Sequence, residues 1–78
     1  MFFTINDIIE LNEKNYLVQK VALLDNEAYY EVQEIGKENN ELLFEKLIIK
    51  GIKEADKLYI EEINDEELLI KIKSNLKS

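Results

Sequence analysis

The chain has 78 residues, of which 46% are hydrophobic and 35% are charged, and its formal net charge is −7. This length predicts one domain near the small end of what folds alone, with enough apolar residues for a small core. The acidity, with every cation a lysine and none an arginine, argues against direct binding to nucleic acids or to anionic membranes.

Cysteine and histidine are both absent from the chain. Their absence excludes a disulfide, a zinc site built on the usual ligands, and catalysis by an imidazole or a thiol. Residues 1–7 lack the basic start and the apolar stretch of a signal peptide, and no apolar run is long enough to span a bilayer. We therefore expect a cytoplasmic protein without enzymatic activity, cofactor or metal.

Two β-rich runs, residues 16–24 and 28–35, are separated by a short polar break and predict a long antiparallel hairpin. In the first run the apolar positions change parity between Val18 and Val21, which predicts a bulge or a bend partway along the strand. Ile35 falls on the opposite parity from the residues before it, so the second strand is expected to end or twist there. The residues expected to point inward from the second strand are Ala28, Tyr30 and Val32.

The remaining strands are expected to pair onto this hairpin. Before it, residues 2–5 predict a short strand or an apolar plug, residues 8–11 a short strand, and residues 12–15 a polar connection. After it, residues 36–40 form the clearest loop, and Gly51 marks a bulge or a kink.

Residues 41–49 permit two interpretations. Leu43 and Leu47 have the i, i+4 spacing of a helix, but the run is short and ends on β-branched residues, which favours a strand. A turn at 54–56 and a last strand at 57–63 follow.

The C-terminal segment predicts a helix of about three turns. Asn64 is a suitable N-cap, and Glu67, three residues later, completes a capping-box pattern. Acidic residues lie in the first turn and lysines towards the end, as the helix dipole favours. One apolar stripe is expected to pack on the sheet, and it consists of Leu68, Leu69, Ile72 and Leu76.

Together these elements predict an α+β fold that is mostly β. We expect a curled antiparallel sheet, or a small partly open barrel, of about five strands with one C-terminal α-helix. No repeat, low-complexity segment or linker divides the chain. The expected single domain covers residues 1–78, with a strand-rich body at 1–63 and the helix at 65–76.

The apolar strand at 8–11, the polar turn and the aromatic-led strand that begins at Tyr16 resemble the first strands of many SH3-like small barrels, with Asn6 where those barrels usually have glycine. More broadly, the chain is similar to families of short acidic proteins from low-GC Gram-positive bacteria, through the strand at 58–63 and the helix start at 65–69. Both resemblances imply a small β-rich fold. They imply no catalytic residue, because those families have no assigned activity and a fold alone does not determine function.

Two groups of residues are candidates for function. The acidic residues of 61–67 are the densest carboxylate cluster, but a solvated strand end and a dipole-favoured first helical turn explain them, and their spacing differs from that of an EF-hand loop. Tyr29 is the best candidate for an exposed aromatic, with Glu31 beside it on the outer face, and exposed tyrosines often anchor protein partners. The candidate partner-binding residues are Tyr29, Glu31, Glu61 and Glu62.

We therefore expect a small protein-interaction or regulatory module, of the kind that phages and mobile elements encode, with a protein partner. A homodimer through an uncapped strand edge is a further expectation, because the core is small. The alternative is an acidic inhibitor that mimics nucleic acid and blocks a DNA- or RNA-binding protein. Lysines that interrupt the carboxylates weaken this alternative, namely Lys46, Lys50, Lys53 and Lys57.

Overall fold

Five antiparallel strands form one sheet in which each strand pairs with its neighbours along the chain. The structure, a computed structural model, describes residues 2–77. The strands are β1 (Ile8–Leu11), β2 (Lys14–Leu24), β3 (Glu27–Ile35), β4 (Leu42–Glu54) and β5 (Lys57–Glu62), and the helix α1 is Glu66–Lys73. The sheet is nearly closed and barrel-like, which confirms the predicted mostly β fold with one C-terminal helix.

Two-residue turns join the first three strands. Asn12 and Glu13 have φ angles of 53° and 66°, and Asp25 and Asn26 have φ angles of 50° and 66°. Type I′ hairpin turns require this left-handed conformation at both central positions. Both turns are shorter than the polar segments from which they were predicted. Strands pair through their backbones, so polar residues at the ends of these segments, such as Lys14, already belong to the strands.

A bulge in β2 lies where the apolar positions change parity. The register between β2 and β3 shifts between Val18 and Lys20. The extra residue, Gln19, lets Val18 and Val21 both pack on the inner core. The predicted bulge is confirmed, and so is the end of β3 at Ile35, beside a second register shift.

The inner face of the sheet carries the main core. Tyr30 and Val32 are fully buried there and Ala28 is half-buried against them, which confirms their predicted inward orientation. The N-terminal segment is a plug rather than a strand, since the ring of Phe3 packs edge-to-face on Tyr30 at 5.1 Å. The Tyr30 hydroxyl also accepts hydrogen bonds from the backbone N–H groups of Phe2 (3.0 Å) and Phe3 (3.3 Å).

Helix α1 covers part of the outer face. Ile72 is fully buried there, in a cluster with Ala22, Tyr29, Ile48 and Ile63. The other members of the predicted apolar stripe pack around this cluster, and they are Leu68, Leu69 and Leu76. The predicted packing of the stripe on the sheet is confirmed.

The N-cap of α1 is Asp65, so the prediction of Asn64 was wrong by one residue. The Asp65 carboxylate accepts hydrogen bonds from the backbone N–H groups of Glu67 (3.0 Å) and Leu68 (3.3 Å). A carboxylate at this position satisfies two free donors and also places negative charge at the positive end of the helix dipole, which a neutral asparagine does not.

The helix ends at Lys73, three residues before the predicted end at 76. The Ser74 hydroxyl donates to the carbonyl oxygen of Ile70 at 2.9 Å, and the chain then turns towards β2. Lys77 pairs with Val21 through two backbone hydrogen bonds of 2.8 and 2.9 Å. The helix is shorter than predicted because this pairing with the sheet edge replaces its last turn.

The strand interpretation of residues 41–49 is confirmed, since β4 covers all but the first of them. Gly51 does not mark a bulge, because its register opposite Ile60 of β5 is uninterrupted. Glycine is needed here because the Phe2 ring packs closely on the backbone: a Cβ atom on Gly51 would lie 2.5 Å from Cδ2 of Phe2. The last strand ends at Glu62, one residue before its predicted end.

Candidate functional site

Tyr29 is buried, so the prediction that it is an exposed aromatic was wrong. Only 7% of the residue is exposed, because α1 packs over it. Its hydroxyl donates a hydrogen bond of 3.3 Å to the Glu27 carboxylate. Burial raises the pKa of Tyr29, and the negative charge of Glu27 raises it further. The prediction failed because β3 has buried side chains on both faces, one set inside the curled sheet and one under the helix.

The other predicted partner-binding residues do not form one surface. Glu31 is half-buried on the outer face. Glu61 is exposed and lies on the outer face in one row with Tyr29, with Lys50 between them. Glu62 is also exposed but, as the next residue of the strand, points to the opposite face. The sheet therefore divides the predicted site between its two faces.

The acidic run at 61–67 is divided in the same way. Asp65 caps α1, and Glu66 and Glu67 occupy its first turn. Within residues 2–77, no group of three or more acidic side chains is placed to hold a metal ion. The strand and the helix start account for the positions of these carboxylates.

The most exposed aromatic residue among residues 2–77 is Phe44 on β4, whose side chain is fully exposed. The strand bulges at this point, since residues 43–45 lie opposite a single residue of β3. The side-chain amide of Gln33 donates a hydrogen bond to the carbonyl oxygen of Leu43 inside the bulge. Phe44 therefore projects from a hydrogen-bonded strand and not from a loose loop.

Phe44 lies beside a row of side chains that α1 does not cover. Ile8, Leu17, Gln33 and Lys46 lie opposite one another on four successive strands. Ile8 is 53% exposed and Leu17 is half-buried. Lys14 lies opposite Leu11, which packs on the inner core, and it bonds Glu45, so Glu45 lies on the inner side of the sheet. The preceding residue, Phe44, therefore lies on the outer face with Lys46. We call Ile8, Leu17, Gln33 and Phe44 the Phe44 surface.

The sequence did not identify Phe44 as exposed because Phe44 and Ile48 are four residues apart. This spacing puts both residues on one face in a helix and also in a strand, so it predicts that they are buried together. In the structure both residues are on the outer face, but the helix covers only Ile48. The available signal was the pair of charged residues that follows Phe44, Glu45 and Lys46, which is typical of a solvent-facing stretch.

A cleft of about 480 Å³ lies elsewhere on the molecule, beside the turn between β2 and β3. The Lys50 ammonium and the Glu27 carboxylate contribute to its lining, 3.6 Å apart. Its apolar lining residues are Phe2, Leu23, Ala28 and Ile52. The volume is within the range of ligand sites, but Leu23 is 66% exposed, so the cleft is an open depression rather than an enclosed pocket.

Lysines lie among the carboxylates of the surface. The Lys14 ammonium is 3.1 Å from Glu45 and 3.9 Å from Glu34. The hydrogen bond with Glu45 raises the pKa of Lys14, and the negative charges of both carboxylates raise it further. Burial raises the pKa of the nearby Tyr16 hydroxyl, and the charge of Glu45 adds to the effect. This part of the surface is therefore mixed in sign.

No helix within residues 2–77 is long and apolar enough to cross a membrane. Comparison of the chain with protein-family models, with curated proteins and with solved structures found no match. The resemblance to SH3-like barrels and to short acidic proteins of Gram-positive bacteria therefore stays a prediction.

Proposed function

We propose that the protein is a small, non-enzymatic interaction module of the cytoplasm whose protein partner binds the Phe44 surface. One observation carries the proposal: a fully exposed phenylalanine projects from a hydrogen-bonded strand, on the face of the sheet where Ile8 and Leu17 are also left uncovered by the helix. Apolar side chains that are exposed together on a rigid scaffold are typical of protein-binding sites, where aromatic anchors contribute most of the affinity.

The energetics of Phe44 suit such an anchor. Fully burying a phenylalanine side chain contributes about 1.5–3 kcal/mol. The chain gains none of this on folding, because Phe44 remains fully exposed, so the whole contribution is available to binding. The complementary partner has an apolar pocket for the Phe44 ring and a flat apolar rim that contacts Ile8 and Leu17.

The non-enzymatic and cytoplasmic parts of the proposal rest on composition. Neither histidine nor cysteine is present, and the carboxylates of 61–67 are divided between a strand and a helix cap. The alternative function, nucleic-acid mimicry, requires a continuous acidic face. The position of Lys14 between Glu34 and Glu45 argues against such a face, so we favour the interaction module.

The test is affinity capture with three tagged proteins: wild type, Phe44→Ala and Ile70→Ala. Ile70 is a matched control because it is an aliphatic residue 68% exposed on the helix, outside the Phe44 surface. We expect wild type and Ile70→Ala to retain the same partner at high salt, because an apolar contact is not screened, and Phe44→Ala to lose it.

Equal retention of the partner by Phe44→Ala would contradict the proposal. Capture of nucleic-acid-binding proteins that are released as salt rises would instead support the mimicry alternative, since screening weakens charge contacts between exposed groups.

A further inference from the structure

We infer that the outer edge of β5 pairs with β5 of a second copy of this chain, in an antiparallel dimer centred on Tyr59. The two edges of the sheet differ in how they are protected. On the first side, β1 has only four residues, and the pair between Lys77 and Val21 covers part of the β2 edge that β1 leaves open. On the other side, β5 has six residues, and among residues 2–77 no hydrogen bond reaches its outer edge.

The hydrogen-bonding pattern shows which backbone groups of β5 are free. The Ile63 N–H donates to the carbonyl oxygen of Ile48, which fixes this pair as hydrogen-bonded. Bonded and non-bonded pairs alternate along an antiparallel ladder, so the N–H and C=O groups of Leu58, Ile60 and Glu62 point away from β4. These are the groups that a second strand must bond.

The charges of β5 favour one register of that second strand. In a two-fold antiparallel pair, opposed residues share a face, so their numbers differ by an even amount. Centring the axis on Tyr59 places Lys57 opposite Glu61 of the second copy, twice by symmetry. It also places Leu58 opposite Ile60, two of the residues whose backbone groups are free. The third, Glu62, lies opposite Asp56 of the preceding turn, outside the strand. Opposite charges across strands stabilise such a pair.

Other registers lose this complementarity. Centring on Ile60 places Tyr59 opposite Glu61, and centring on Glu61 places two like charges opposite each other. Charged residues on an edge strand normally discourage pairing between copies. Among registers centred on a residue of β5, only the one centred on Tyr59 places opposite charges of the two β5 strands against each other.

The side chains at this edge are those that a second strand would cover. Leu58 is 46% exposed and Tyr59 is 48% exposed. Stable protein interfaces bury about 1,200–2,000 Å² of accessible surface, and a contact between two six-residue strands buries less. The dimer is therefore expected to be weak and concentration-dependent. The inference does not depend on the proposed function, since β5 pairs only with residues 49–54 of β4 and leaves the Phe44 surface free.

Charge-reversal variants test both the edge and the register. The measurement is sedimentation equilibrium of wild type, Lys57→Glu, Glu61→Lys and the double variant, over micromolar to millimolar concentrations at low salt. Lys71→Glu on the helix is the control for net charge, because it makes the same charge change away from β5. Thermal unfolding of dilute samples checks that each monomer still folds.

We expect wild type and Lys71→Glu to dimerise alike, each single β5 variant to dimerise at least tenfold more weakly, and the double variant to recover most of the loss. A wild type that stays monomeric at millimolar concentration would overturn the inference. So would a dimer that Lys57→Glu leaves unchanged, or a double variant that is no better than the single ones.

Discussion

Gly51 and Phe2 should be energetically coupled, because the Phe2 ring lies over the glycine. A Cβ atom on Gly51 would lie 2.5 Å from Cδ2 and 2.8 Å from Cγ of that ring, about 1 Å inside the ordinary contact distance of carbon atoms. Moving the ring costs about 1–3 kcal/mol, while alanine gains roughly 0.5–1 kcal/mol over glycine in a strand. We expect Gly51→Ala to lower the free energy of unfolding by about 1–2 kcal/mol.

Removing the ring should abolish this loss. In Phe2→Ala the remaining Cβ atom of residue 2 lies 3.2 Å from the added methyl group, and a shift of a few tenths of an ångström relieves that contact. Gly51→Ala should then be neutral or stabilising by up to about 1 kcal/mol.

Urea unfolding of wild type, both single variants and the double variant measures the coupling, which we expect to be about 1.5–2.5 kcal/mol. Gly36→Ala is the control, since an added Cβ there would meet only the flexible side chain of Glu41. Equal losses from Gly51→Ala with and without the Phe2 ring would refute the reasoning.

The helix, the N-terminal segment and the tyrosines provide three more predictions. Ile72→Ala should lower the free energy of unfolding by about 2–5 kcal/mol because Ile72 is fully buried. Ile70→Ala should change this free energy by less than about 0.5 kcal/mol, because Ile70 is exposed. Equal losses for the two variants in urea unfolding would contradict the packing of the helix. Tyr30→Phe should lower the free energy of unfolding by about 1–2 kcal/mol, because it removes the hydroxyl that accepts hydrogen bonds from the amides of Phe2 and Phe3. Hydrogen exchange of these two amides should become faster, and unchanged exchange by NMR would show that the hydroxyl does not hold the N-terminal segment. Burial raises the pKa values of Tyr16 and Tyr29 above that of a free tyrosine. Their stabilising contribution is therefore complete below about pH 10 and is lost as the pH rises through the folded-state pKa values. Phenolate absorbance should show that these tyrosines ionise at a higher pH than free tyrosine does. The urea midpoint should fall over the same pH range, and a constant midpoint would contradict this contribution.

Much of the sheet could be predicted because its signals are local. The change of parity between Val18 and Val21 identifies a bulge without any knowledge of the partner strand, since a strand of period two cannot otherwise place both residues on one face. The polar run at 36–40 likewise marks a loop directly. The predictions that failed locally, such as the cap at Asn64, concern a choice between adjacent polar residues that small energy differences decide.

The candidate site could not be predicted because exposure of the outer face depends on where the helix packs. Tyr29 and Phe44 both lie on that face, and each has charged residues within two positions in the sequence. The helix covers Tyr29 and leaves Phe44 exposed, a difference set by contacts between residues more than 25 positions apart. The alternation of a strand shows which residues share a face, and it contains no information on which half of that face another element will cover.

The lengths of the elements explain why Phe44 stays exposed. Eight residues of α-helix span about 12 Å, whereas the thirteen residues of β4 span up to about 43 Å when extended. Phe44 is four residues from Ile48, the position on β4 that the helix covers, and therefore about 13 Å away along the strand. Nothing within residues 2–77 covers it, so it contributes little to the stability of the fold. Phe44→Ala should thus leave the free energy of unfolding within about 0.5 kcal/mol of wild type, and a loss of partner binding in the same variant would then be due to the surface and not to unfolding.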